Sequence, residues 1–280
     1  MTPLHHDHLT APGAAPSATM LLLHGIYGAG RNWRTVARRL VSARPGWRVT
    51  LVDLRSHGRS PRLAPHTVAA CATDVSGVED HLGRAADAVL GHSFGGKVAL
   101  LHARRAAPAP RRYWIVDSAP GAGRPAGGAW RMLGVLRRRP GPFGSRAEAV
   151  AAVEAEGYSP VVARWMATNV RQDGWDGWVW RIDPDEMEGY LRDYFSVDAW
   201  DVVEEPPEGA VIHFVKASAS SVLDAEAVAR IRGAGRGTGR VFLHEVEGGH
   251  WINTENPDAL VELLAHGRLT GHVAGRGPRH

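Results

Sequence analysis

The stretch that most constrains this chain runs from Ala86 to Lys97, an apolar segment ending in Gly91-His92-Ser93-Phe94-Gly95-Gly96-Lys97. A serine with glycine two residues to either side suits a sharp strand-to-helix turn, where a Cβ at either glycine would strike the neighbouring strand or helix. The N–H groups from Phe94 onward then open a helix whose positive end faces a developing oxyanion. The same letters also read Gly91-x-x-x-x-Gly96-Lys97, a phosphate-binding loop in which Val98 replaces the Ser or Thr that would hold Mg²⁺. Tyr113-Trp-Ile-Val-Asp117 would serve such a loop as the metal-supporting strand, but this nucleotide reading leaves the flanking motifs without a role.

Those motifs begin with Thr19-Met-Leu-Leu-Leu23, a buried-strand pattern that runs into His24-Gly25-Ile26-Tyr27-Gly28. Such a loop can turn a backbone N–H inward. We expect the N–H of Ile26 to pair with that of Phe94 as oxyanion donors, and His24, Gly25, His92 and Trp251 to lie against substrate. The plainer reading is a Gly-rich turn before a helix starting near Arg31. Trp47 to Leu54 reads as the next strand, followed by Asp53-x-Arg55-x-His57-Gly58-x-Ser60, whose polar residues are expected to hold their loop together rather than to catalyse through His57. A helix over 67–82, the strand before Ser93, a helix over 97–107 ended by Pro108 and Pro110, and a strand over 112–117 complete an alternation that predicts a parallel sheet covered on both faces.

Residues 121–207 break that alternation and carry Trp130, Trp165, Trp175, Trp178, Trp180 and Trp200, which predicts a helical cap whose tryptophans are more often core than pocket lining. The pattern resumes with a strand at 211–215, a helix over 224–232, a strand over 240–246, the loop Glu247-Gly-Gly-His-Trp251, and a helix over 256–264 with Pro257 near its start. The expected organisation is therefore a loose N-terminus (1–18), a core (19–120 and 208–267), a cap (121–207) and a loose tail (268–280). His5, His6 and His8 could form a metal tract, but a frayed terminus is expected and no metal site is assigned.

His250 follows the last predicted strand in a loop whose glycines let the imidazole swing over the sheet edge, and the chain order is serine, acid, histidine. Lys216 to Ser221, which ends the strand after the cap, holds no carboxylate, so the acid is either Asp117 or Asp224. Asp117 is favoured because it ends a strand beside the nucleophile strand, whereas Asp224 has the position of a helix cap.

Bulk properties exclude little but point one way. The 33 basic and 29 acidic residues nearly balance, and no basic stripe is interleaved with aromatics, so no nucleic-acid partner is expected. Cys71 is the single cysteine, which rules out an intrachain disulfide and permits a reducing compartment. Neither a charged leader nor an apolar span is seen, so the expectation is a cytoplasmic chain with no membrane partner.

Gly91-His-Ser-Phe-Gly-Gly-Lys97, Val116-Asp-Ser-Ala-Pro120, Trp165-Met-Ala-Thr-Asn169 with Val179-Trp-Arg181, and Gly249-His-Trp251 through Glu255-x-Pro257 together resemble the YbfF-type esterases of the α/β-hydrolase superfamily, over roughly residues 19 to 266. The resemblance implies an α/β-hydrolase fold, with a mostly parallel central sheet, helices on both faces and a helical cap inserted after the sixth strand. It implies Ser93 as nucleophile, His250 as base, an acid from the Asp117 strand, and cleavage of short to medium acyl esters or thioesters through an acyl-enzyme, without a cofactor. This chain departs from the pattern in its Ser-rich turn at 218–221, where relatives often carry Gly-Gly-x-Ser, and in its Trp-dense cap. Dehalogenase and epoxide hydrolase chemistry would need Asp at the elbow. C–C bond hydrolysis and cofactor-free haloperoxidase chemistry use the same triad and stay open. A non-catalytic binding module is the rival of a different class.

Overall fold

Strands that are apolar along their whole length need cover on both faces, and the helices between them supply it. The computed structural model describes residues 4–107, 111–174 and 177–267. Its first half contains β1 (His6–Leu9), β2 (Ala18–Leu23), α1 (Arg34–Ala43), β3 (Trp47–Val52), α2 (Val68–Leu82), β4 (Ala88–His92), α3 (Phe94–Arg105) and β5 (Arg111–Val116). An inserted segment follows: α4 (Gly127–Arg138), α5 (Arg146–Glu154), α6 (Pro160–Met166), β6 (Val170–Gln172), β7 (Trp178–Trp180), α7 (Pro184–Ser196) and α8 (Trp200–Glu204). The chain closes with β8 (Ala210–Ala217), α9 (Ala225–Thr238), β9 (Val241–Val246), α10 (Ile252–Glu255) and α11 (Pro257–His266).

The main sheet has seven strands in the order β1-β3-β2-β4-β5-β8-β9, parallel throughout except for β1. This is an α/β-hydrolase fold. One core gathers α2, α3 and the cap-like helices on one face, with Val75, Val98, Phe94 and Tyr190 buried in it. The other packs α1 and α11 on the opposite face around Trp33, Leu40, Leu260 and Leu263. Local signals fix the helix ends. Thr67 accepts from the Ala70 N–H at the start of α2, and Asn256 caps α11 with Pro257 in its first turn.

Three expectations need correction. Residues 4–18 are not frayed: Leu4 is buried, and His6–Leu9 pair antiparallel with β3, His6 opposite Val52 and Leu9 opposite Val49. The histidines are spent on this edge, with His6 Nδ1 on the Leu4 carbonyl and His8 Nδ1 on Thr50 Oγ1. A polar edge strand gives no apolar run, so hydropathy overlooks it. The cap-like helices follow β5, the fifth strand of the chain rather than a sixth, and they enclose a small β6–β7 hairpin, Val170 opposite Trp180. The proposed tail at 268–280, the prolines at 108 and 110, and Trp175 lie outside the described residues.

Lys97 explains itself at this level. Its Nζ is buried and donates to the carbonyls of Gly121, Tyr194 and Val197 at 2.8, 2.7 and 3.0 Å, and lies 4.1 Å from the centre of the Tyr194 ring. All its donors are spent on the cap entry and α7, so none is left for a phosphate, and the nucleotide reading loses its central residue. Burial pulls its pKa down to about 8, against the raising effect of Asp198 and Asp193. Replacing Lys97 with Met keeps the stem but leaves three carbonyls unpaired; we expect a loss of about 2–4 kcal/mol in urea unfolding. A loss below about 1 kcal/mol would show that this tie is not structural.

Candidate active site

The elbow is built by backbone crowding. A Cβ on Gly91 would lie 2.0 Å from the Gly95 carbonyl oxygen, and one on Gly95 would lie 2.6 Å from the carbonyl oxygens of both Leu23 and His24. No side chain fits either position, so α3 starts directly on top of β2 and β4. Ser93 takes the strain, with φ at 52° and ψ at −117°, while its N–H is held by the Val116 carbonyl at 2.9 Å.

Ser93 Oγ stands 3.1 Å from His250 Nε2, and His250 Nδ1 stands 2.7 Å from Asp117 Oδ2. Asp117 is fully buried at the end of β5, with φ at 44°. Its carboxylate also accepts from Ser220 Oγ at 2.6 Å and from the Ala217 N–H at 3.3 Å. Burial alone would raise its pKa, but these hydrogen bonds and the facing His250 hold it below the usual carboxylate range. Asp224 is elsewhere: its Oδ1 caps α9 on the Ala227 N–H at 2.8 Å. Ser220 is the residue that sequence reasoning missed. The serine run after β8, where a carboxylate was sought, was the signal.

The loop after β2 lies against this elbow. A Cβ on Gly25 would come within 3.2 Å of His92 Nδ1 and 3.3 Å of Ser93 Cβ. Gly28 donates to the Gly25 carbonyl to close the turn that carries Ile26. The Phe94 N–H is the first of α3 and has no intrahelical acceptor. An arrangement of this kind can deprotonate a hydroxyl and offer backbone N–H groups to the charge that forms.

Two expected substrate contacts are corrected. His24 is buried, with its Nδ1–H donating to the Gly25 carbonyl at 2.8 Å and its Nε2 accepting from the Leu54 N–H at 3.0 Å. His92 is also buried, and its Nε2–H donates to the His250 carbonyl at 2.8 Å. Both rings therefore hold loops, and burial keeps them neutral: His24 is pulled down to about 4, and His92 to about 3 with the His250 charge adding to the effect. His57 behaves as expected of a loop residue, donating Nδ1–H to the Arg55 carbonyl. Around it, Arg55 pairs with buried Asp74 at 2.5 and 2.7 Å, and Asp53 accepts from the Gly30 and Arg59 N–H groups.

Trp251 does reach a cavity. Together with Val161, Val162, Arg164, Trp165, Thr168 and Thr254 it lines a volume of about 430 Å³, and its ring centre is 4.2 Å from that of Trp165. Trp130 lines a separate cleft on α4. Trp178, Trp180 and Trp200 pack in or against the cap cores. Among the described residues no group of three or more His, Cys, Asp or Glu is placed to hold a metal, and no helix is long and apolar enough to cross a membrane.

A serine on a strained turn between β4 and α3 of this sheet defines a class, and the comparison with known families agrees with it: the model of the alpha/beta hydrolase family matches residues 20–263, and the chain belongs to that family. Among characterised relatives it is similar to the sn-1-specific diacylglycerol lipase ABHD11 of Mus musculus, 25% identical over 279 residues, covering 95% of this chain and 87% of that protein. It is also similar to the lipase LipV of Mycobacterium tuberculosis, 37% identical over 93 residues, 33% of this chain and 34% of that one. A solved marine microorganism esterase superposes with a TM-score of 0.79 at 21% identity, over 94% of this chain and 98% of that one.

Because the elbow depends on absent side chains, Gly95→Ala should lower stability by about 3 kcal/mol or more in chemical unfolding. A variant as stable as the parent would mean that α3 can lift off β2 at no cost.

Proposed function

We propose that the protein is a serine hydrolase that cleaves carboxylic esters or thioesters through an acyl-enzyme, with Ser93 as nucleophile, His250 as general base and then acid, and Asp117 as the acid that orients it. The observation that carries this reading is the unbroken chain Ser93 Oγ, His250 Nε2 at 3.1 Å, His250 Nδ1, Asp117 Oδ2 at 2.7 Å. A proton on Nδ1 pointing at Asp117 leaves the Nε2 lone pair free to take the Ser93 proton as the hydroxyl attacks the acyl carbon. The imidazolium that forms faces a buried carboxylate kept ionised by three donors. It then protonates the departing alcohol or thiol, and a water repeats the sequence to release the acid.

The N–H groups of Phe94 and Ile26 are proposed to hold the oxyanion. Phe94 opens α3 beside the nucleophile, and Ile26 sits in the turn pressed against it. The aromatic cavity at Trp165 and Trp251 adjoins His250 and offers a place for an apolar part of the substrate. Likeness to lipases, and the resemblance of its motifs to those of YbfF-type esterases, favour ester chemistry over the other reactions this triad supports.

Ser93→Ala should abolish turnover of p-nitrophenyl esters and labelling by a fluorophosphonate probe while melting at the parent temperature. Persistent turnover would end this mechanism. Asp117→Asn should lower kcat by about 10⁴-fold, whereas Asp224→Asn should cost only a helix cap, about 1 kcal/mol or less of stability. If activity followed Asp224 instead, the acid would have been misassigned.

A further inference from the structure

The cavity at Trp165 and Trp251 lies to one side of the candidate active site, and the path of a single proton decides which half of a substrate that side receives. Val161, Val162 and Trp165 of α6 form one wall, Thr168 follows them, and Trp251 and Thr254 come from the segment after His250. The Trp251 ring is the partition. Its centre is 4.2 Å from that of Trp165 on the cavity side and 5.4 Å from that of the His250 imidazole, which it meets edge-on at 73°. It also lies 6.0 Å from the His92 ring, whose Nε2–H holds the His250 carbonyl at 2.8 Å, so this wall and the imidazole are fixed to one loop.

Two ties bring the far wall to the turn after β2: Asn169 Nδ2 donates to the Tyr27 carbonyl at 2.5 Å, and Arg31 Nη2 donates to the Thr168 carbonyl. The cavity therefore spans the seam between the His250 loop and the Ile26 turn. In the tetrahedral intermediate the acyl carbon carries Ser93 Oγ, the oxyanion, the acyl chain and the departing oxygen or sulfur. The oxyanion faces the N–H groups of Ile26 and Phe94, and the departing atom has to come within reach of His250 Nε2, because that nitrogen supplies its proton. Whatever is bonded to the departing atom is thereby sent towards Trp251, and the tetrahedral carbon turns the acyl chain away from it. The walls suit an apolar chain. Thr168 Oγ1 donates to the Trp165 carbonyl at 2.7 Å, which leaves mainly valine and indole surface inside. Val161 is 49% exposed at the outer wall, so the cavity opens to solvent, as a group that departs before water attacks requires.

We propose that the Trp165–Trp251 cavity is the leaving-group site of this enzyme, so that it selects esters and thioesters by an apolar alcohol or thiol half, and that Trp165 sets the preferred length of that half. The inference rests on the hydrolase reading. The same site serves acyl transfer: an apolar alcohol seated there gives its proton to His250 Nε2 as its oxygen bonds to the acyl carbon, the bond to Ser93 Oγ breaks, and His250 returns the proton to Oγ. The products are a new ester and the free enzyme, and no further reactant is needed.

The test varies one half of the ester at a time. From ethyl to butyl to hexyl acetate only the alcohol changes, and kcat/KM of the parent protein should rise by about tenfold or more as methylenes are buried. From methyl acetate to methyl hexanoate only the acyl chain changes. Trp165→Ala empties the cavity and Thr254→Trp fills it; each should cut the hexyl-to-ethyl ratio by about fivefold or more, while the methyl hexanoate-to-acetate ratio stays within about twofold of the parent. Thr254 is exposed, so its variant carries the test even if Trp165→Ala fails to fold. With p-nitrophenyl acetate as acyl donor, 1-hexanol should yield more hexyl acetate than an equal concentration of ethanol yields ethyl acetate, and Trp165→Ala should erase that preference. A flat alcohol series in the parent overturns the proposal. So do variants that move the acyl ratio and not the alcohol ratio, which would make the cavity an acyl site. Turnover with either result leaves the hydrolase reading standing, whereas a parent that turns over no ester and resists the fluorophosphonate probe sinks that reading and this assignment together.

Discussion

The first turn of α3 rests backbone on backbone against the ends of β2 and β4. Gly95 sits so near the Leu23 and His24 carbonyls that even a methyl group is excluded, and Gly91 is equally crowded by Gly95 itself. β2 and β4 are neighbours, Leu23 opposite Gly91, so the loop leaving one strand and the serine leaving the other emerge side by side. From that single contact follow the strained Ser93 backbone, the aim of its hydroxyl, and the nearness of Ile26 to the start of the helix. Strain at a serine of this kind costs about 1–3 kcal/mol and persists only because the packed strands leave no alternative.

The cap-like helices are fastened to these same loops. Tyr27 donates to the Ala129 carbonyl, Asn169 to the Tyr27 carbonyl, Tyr190 to Ser56 Oγ, and Lys97 to three carbonyls at the cap entry and α7. Each tie joins a cap element to a residue within a few positions of the elbow, the turn after β2 or the Asp53 loop. A substrate that shifts the cap must therefore pull on the loops that position the chemistry, and the cavity at Trp165 and Trp251 lies on that seam.

Much of this was legible in the sequence, because the strongest local rules coincide with the site. Glycine spacing marked the elbow, apolar runs marked β2, β4 and β5, and Thr67, Asn256 and Pro257 marked helix starts within a residue or two. What stayed hidden depends on partners distant in the chain. Nothing local says that His24 spends both ring nitrogens on Gly25 and Leu54, or that His92 reaches the carbonyl of His250, 158 residues away. β1 was missed because polar residues on a sheet edge satisfy their backbone without an apolar signature. Lys97 invited a phosphate reading because its acceptors are supplied by Gly121, Tyr194 and Val197, all beyond the reach of the motif.

The two candidate acids pose the same problem in reverse: the sequence narrows the choice to Asp117 and Asp224, and topology brings Asp117 alone of the two to His250. β5 lies between β4 and β8, with Val116 opposite both His92 and Val215. A carboxylate one residue beyond Val116 is therefore flanked by the strand that leads to Ser93 on one side and by the β8 turn on the other. Asp117 turns through a positive φ and is locked by its own N–H on the Val215 carbonyl at 2.8 Å. The neighbouring strand, which holds no acid here, supplies donors in its place, the Ala217 N–H and the Ser220 hydroxyl. A fully buried carboxylate without such donors would gain a proton rather than stay charged. The empty place in the sequence after β8 is thus filled by the groups that make an acid on β5 workable. Asp224, fixed as the cap of α9, would have to unmake a helix start to take over that role.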